Sequence, residues 1–79
     1  MNKDRRKRIG DLMNRIEIIK GEAEDILSEE QDGFDNLPEG LQQADRGQGM
    51  EEAINGLEEA VNALDEAYNG LDSAMSTGG

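Results

Sequence analysis

No cysteine, histidine or tryptophan occurs in these 79 residues, and there is one proline. Without cysteine there is no disulfide framework, and cysteine usage says nothing about redox compartment. Without cysteine and histidine there are no thiolate or imidazole metal ligands. A Ser-His-Asp or Cys-His catalytic centre and haem ligation by either residue are excluded as well. Aromatic residues are reduced to Phe34 and Tyr68. No apolar run approaches the ~18 residues of a membrane span. The basic start lacks the apolar stretch of a signal peptide. The expectation is a soluble intracellular protein with no membrane partner.

What remains is charged, small and periodic. Apolar and charged residues each make up 34% of the chain, which places it near the border between folded and disordered. Its length allows one small domain, 1–79, with a marginal core. Charge is unevenly spread. Residues 1–20 carry seven basic and three acidic side chains, whereas residues 21–79 carry one basic and sixteen acidic, for a total of −11. Such a field repels nucleic acid over most of the surface and selects basic partners. The cluster Lys3, Arg5, Arg6, Lys7 and Arg8 has the chemistry to contact phosphate, but the neighbouring acid opposes it. In a hairpin this cluster is expected beside Asp65, Glu66 and Asp72, neutralising them, so no direct nucleic-acid binding is expected.

Two segments carry heptad periodicity. With Ile9 at position a, Ile9, Ile16 and Ala23 are a residues, and Leu12, Ile19 and Ile26 are d residues. Met13, Leu27 and Phe34 form an adjoining e row, and Ile18 falls outside the stripe at c. This pattern predicts an amphipathic helix over about 3–30, with Phe34 hinting at an extension. The second segment is more regular. Met50, Leu57, Leu64 and Leu71 occupy d, while Ile54, Val61, Tyr68 and Met75 occupy a. Ala53, Ala60, Ala67 and Ala74 occupy g, and Gly56, Ala63 and Gly70 occupy c. The unit recurs as AINGLE, AVNALD and AYNGLD and predicts a helix over about 49–76. Its acids form the opposite, solvated face.

Between the helices, residues 31–48 form a long connector with Pro38 suited to the first turn of a short helix into Leu41 and Gln42. Phe34, Leu37 and Leu41 give it apolar content for an ordered cap over the mouth of the hairpin. Residues 77–79 are expected to fray. The fold class is therefore all-α, a long antiparallel helical hairpin. The contact arc of the second helix, c-g-d-a, is wider than one neighbour covers, so pairing into a dimeric four-helix bundle is expected.

The search for chemistry is short. A calcium loop started at Asp32 places Leu37 where glycine is needed and Gln43 where the bidentate glutamate belongs. A phosphate loop at Gly47 and Gly49 lacks the third glycine, a preceding strand and a following lysine. Carboxylates abound, but on solvated helix faces rather than in an enclosed acid–base site. The residues thus point to a protein that is not an enzyme and uses no cofactor or metal. Its candidate partner-binding residues are Glu51, Glu52, Glu58, Glu59, Asp65, Glu66 and Asp72, with Phe34 and Leu37 as apolar anchors.

The segment EEQDGFDNLPEGLQ, followed by GMEEAINGLEEAVNALDEA, resembles small acidic helical proteins encoded by phages and prophages. The likeness covers most of residues 1–75. It implies a mobile-element gene, a bacterial host cytoplasm, and interference with a host nucleic-acid-targeting defence of the CRISPR or restriction kind. The acidic helix face would then occupy the basic nucleic-acid channel of a host protein in place of phosphate. The alternative is a homodimeric coiled-coil scaffold or adaptor, whose contacts would be apolar and salt-resistant.

Overall fold

A computed structural model describes residues 1–77. The first helix, α1, runs Lys3–Asp35; a one-turn helix, α2, covers Glu39–Gln42; and the last helix, α3, runs Asp45–Thr77. Both long helices are 33 residues, or about 50 Å at 1.5 Å per residue. They lie antiparallel in a rod of 58 × 15 × 12 Å. The expected hairpin is therefore present, with longer arms. α1 continues past residue 30 through Phe34, and α3 begins at Asp45 rather than 49. The frayed tail expected at 77–79 lies outside the described residues, except that Thr77 still belongs to α3.

Local chemistry sets the ends. Asn2 caps α1, its side-chain oxygen accepting the Arg5 N–H at 2.8 Å, which satisfies one of the orphan donors of the first turn. The other end closes at Asn36, whose N–H donates to the Asp32 carbonyl at 3.0 Å. Leu37 precedes Pro38 and is thereby pushed away from helical backbone, so α1 stops there. Pro38 then opens α2: its carbonyl accepts the N–H groups of Leu41 (2.8 Å) and Gln42 (3.1 Å). The connector between the long helices shrinks to residues 36–44, and its middle is the short helix that Pro38 predicted.

Gln42 holds this connector in place. Its side-chain amide donates to the carbonyls of Phe34 and Leu37, both at 3.2 Å, tying α2 to the last turn of α1. Its backbone rests on Gly47 of α3. Phe34 and Leu37 are half-buried in the cap, whereas Leu41 remains 44% exposed.

The core is thin. Among the described residues, Met13 and Ile54 are the only buried hydrophobic side chains, at 6% exposure each. Leu57, Val61, Leu64, Tyr68 and Leu71 are half-buried. A side chain in a two-helix seam has neighbours on one side only, short of the 6–12 residues a core side chain typically touches. The register follows from three facing pairs: Lys20 with Asp65, Glu17 with Tyr68, and Gly33 with Met50.

Which face of α1 meets α3 differs from the simplest heptad reading. The a and e rows turn inward: Met13 is buried, and Ile9, Ile16, Leu27 and Phe34 are half-buried. The d row is left out, with Leu12, Ile19 and Ile26 exposed at 42%, 48% and 53%. On α3 the a and d rows turn inward as expected. Ala53, Ala60 and Ala67 of the g row, and all of the c row, are exposed. Within an antiparallel pair, these three leftover rows lie on the same broad side of the hairpin. The opposite side carries Glu17 and Glu24 from α1 and Glu51, Glu58, Asp65 and Asp72 from α3.

Candidate functional site

The acidic arc of α3 is built by its seven-residue repeat. Glu51, Glu58, Asp65 and Asp72 occupy e, and Glu52, Glu59 and Glu66 occupy f. Successive e and f residues are about 100° apart around the helix, and Asn55, Asn62 and Asn69 fill the row between them. From Glu51 to Asp72 the seven carboxylates span about 32 Å of helix axis. Six of them are exposed, as are the three asparagines.

Asp65 is the exception. It is half-buried and receives Lys20 Nζ at 2.6 Å across the hairpin. That hydrogen bond, helped by the charges of Asp65, Glu24 and Glu17 and opposed by burial, raises the Lys20 ammonium above its ordinary value of 10.5. Asp65 thus fixes the register of the two helices and is already occupied. One turn further on, the Glu17 carboxylate stands against Tyr68. Its charge, followed by burial, hydrogen bonding and the charge of Asp72, pushes the phenol above 10.0. Both contacts draw on cross-helix placement, which a heptad pattern on either helix alone does not contain.

The expected apolar anchors are less available than the carboxylates. Phe34 lines a shallow cleft with Gln31, Glu51, Ile54, Asn55 and Glu58, so the connector end of the acidic side combines one aromatic edge with two carboxylates. Leu37 is half-buried in the cap, its carbonyl taken by Gln42. The basic cluster does not do what the sequence suggested. Asp72 lies level with about residue 13, so Lys3 to Arg8 sit beyond Asp65, Glu66 and Asp72 rather than beside them. Among the described residues the ion pairs are Lys20–Asp65 and a long, exposed Arg8–Asp4 contact of 3.7 Å within α1.

No family model matches the chain, and neither a curated protein nor a solved structure does. Among the described residues, no helix is long and apolar enough to cross a membrane. None of their side chains form a group of three or more His, Cys, Asp or Glu placed to hold a metal ion. The functional reading therefore rests on the two faces of the hairpin: one acidic with a row of asparagine between its carboxylates, the other apolar and small.

Proposed function

We propose that this protein is a non-enzymatic binding module that lays the acidic arc of α3 into the nucleic-acid track of a basic host protein. It would act as a mobile-element inhibitor of a DNA-targeting defence, of the anti-CRISPR or anti-restriction type, in the cytoplasm of a bacterial host. The observation that supports this reading is linear charge density. With Asp65 taken by Lys20, six exposed carboxylates over about 32 Å give one negative charge per roughly 5 Å, against about 3.4 Å along one DNA strand. A partner surface built to neutralise phosphates with Lys and Arg meets a comparable row of anions on a stiff helix. The helix is already ordered, so the chain loses little conformational freedom on docking. Asn55, Asn62 and Asn69 add donors and acceptors between the charged rows. Phe34, at the cleft beside Glu51 and Glu58, adds an apolar edge.

Capture from bacterial lysate at low salt tests this. Nucleic-acid-binding proteins should be retained, should be displaced by added duplex DNA, and should elute as salt is raised. The variant Glu52→Gln/Glu59→Gln/Glu66→Gln should lose them. Retention that is indifferent both to salt and to these three substitutions would refute the reading. A second reading, a homodimeric scaffold or adaptor, is favoured by the exposed apolar side of the hairpin, and its contacts would persist in salt.

A further inference from the structure

We propose that α1 pairs with α1 of a second copy, antiparallel, about a two-fold axis at Ile18–Ile19. The pairing uses the side of the hairpin opposite the acidic arc, so it stands apart from the reading above. It begins from the exposed d row. Leu12, Ile19 and Ile26 repeat every seven residues and are about half-exposed in the single chain. Run antiparallel about Ile19, the row is its own complement: Leu12 meets Ile26 of the partner, and Ile19 meets Ile19 of the partner. Ile18, the most exposed large hydrophobic residue at 64%, lies level with this axis, on the far side of the Arg15–Glu22 row.

Charge selects this orientation over its rivals. The g row of α1, bordering the d row, reads Arg8, Arg15, Glu22, Glu29. In an antiparallel helix pair g faces g of the partner, which brings Arg8 to Glu29 and Arg15 to Glu22, each pair occurring twice by symmetry. A parallel arrangement would instead bring the basic ends of the two rows level with each other, and the acidic ends likewise, with no opposite charge to meet. Within the single chain this row is poorly satisfied. Arg15, Glu22 and Glu29 take part in no ion pair among the described residues, and Arg8 has only its long contact to Asp4. The row also runs against the helix dipole, which favours acid at the N-terminus and base at the C-terminus. The last turn of α1 contains no basic residue. An antiparallel partner supplies the missing opposite charge at both ends. It lays the basic residues 3–8 of each chain over the acid at 29–35 of the other. On α3, the exposed Ala60, Ala67 and Gly70 leave room for the second hairpin to approach on the same side.

Sedimentation and cross-linking test the pairing. The wild-type chain should sediment at twice its 8.7 kDa. Arg8→Glu/Arg15→Glu should weaken the dimer by about tenfold or more, because the pairs become like-charged. Adding Glu22→Arg/Glu29→Arg to that variant should restore the dimer, and a mixture of the two double variants should form a heterodimer. Because the chain has no cysteine, single introduced thiols report geometry cleanly. Leu12→Cys mixed with Ile26→Cys should form a disulfide between chains, and neither should do so alone. A monomeric wild type, a dimer indifferent to charge reversal at 8 and 15, or a homodimeric disulfide from Leu12→Cys would each overturn the proposal. A monomer that still captures basic proteins would sink the pairing alone. A dimer that captures none would sink only the acidic-arc reading.

Discussion

Gly47 offers a test of how the connector is held. It lies in the first turn of α3 and is buried. Its backbone is not left-handed, since no described glycine has positive φ; its requirement is room. A Cβ placed there would come within 2.6 Å of the Gln42 Cα and closer still to its carbonyl group. That obstacle is backbone, which cannot rotate aside. Gly47→Ala must drive α2 away by about 1 Å, at a typical overpacking cost of about 1–3 kcal/mol. The shift also strains the Gln42 bonds to Phe34 and Leu37, worth about 1 kcal/mol each. Against this stands the gain in helix propensity, about 1 kcal/mol for Gly→Ala. The balance is a net loss of about 2 kcal/mol, a large share of the roughly 4–12 kcal/mol expected for a chain of this length. The melting temperature should fall by roughly 8–16 °C. Gly49, two residues on, has nothing within 4 Å of its Cβ position. Gly49→Ala should therefore keep the propensity gain and stabilise. Thermal and urea denaturation followed by circular dichroism compares the pair. If Gly47→Ala is as stable as Gly49→Ala, the close approach of α2 to α3 is not what fixes the connector.

Two further outcomes concern charge. Lys20 and Tyr68 both bind their protons more tightly in the hairpin than in the unfolded chain. Their contribution is therefore fully present below pH 10 and is lost as pH rises through the raised values. Stability should decline above pH 10, and Lys20→Met/Tyr68→Phe should flatten that decline; an unchanged slope in the variant would show that the two cross-helix contacts do not set it. Second, a net charge of −11 with two ion pairs among the described residues leaves repulsion dominant. Moderate salt should raise the melting temperature, and a fall would mean that attractive pairs outweigh the repulsion.

The helices were legible because their signals are local and repeated. The regular Ala, Leu and Asn spacing of residues 50–75 identified α3 and placed Ile54, Leu57, Leu64 and Leu71 on its inward side, as the structure does. Pro38 identified α2 for an equally local reason, its fixed φ and missing N–H. The rotation of α1 was not legible. Its apolar arc takes in the d, a and e rows, which one neighbour cannot cover, and the sequence of α1 ranks the d row with the a row. Non-local pairs decide the matter. Lys20 at e reaches Asp65, and Glu17 at b stands against Tyr68, turning α1 toward its e side and leaving Leu12, Ile19 and Ile26 outside. The same non-local register explains why the basic cluster misses Asp65, Glu66 and Asp72, and why the close approach of Gln42 to Gly47 was not legible.

The exposed d row then changes meaning. In a hairpin where Met13 and Ile54 are the only buried hydrophobic side chains among the described residues, three half-exposed aliphatic side chains at heptad spacing carry a substantial share of the available apolar area. Burying the exposed half of each would contribute about 1 kcal/mol per side chain, or about 6 kcal/mol for the three residues of two chains. Single surface ion pairs contribute a few tenths of a kcal/mol, so the g row cannot be the main source of affinity. Its part is to choose orientation: apolar rows of Leu and Ile tolerate parallel and antiparallel packing alike, whereas Arg8, Arg15, Glu22 and Glu29 penalise the parallel one. The division of labour makes a separable expectation. Leu12→Ala/Ile19→Ala/Ile26→Ala should abolish pairing in sedimentation at any salt. Charge-neutral Arg8→Gln/Arg15→Gln/Glu22→Gln/Glu29→Gln should keep the chain dimeric and allow Leu12→Cys to cross-link with itself as well as with Ile26→Cys. A neutral g row that still forbids the Leu12→Cys homodimer would show that packing, not charge, sets the direction.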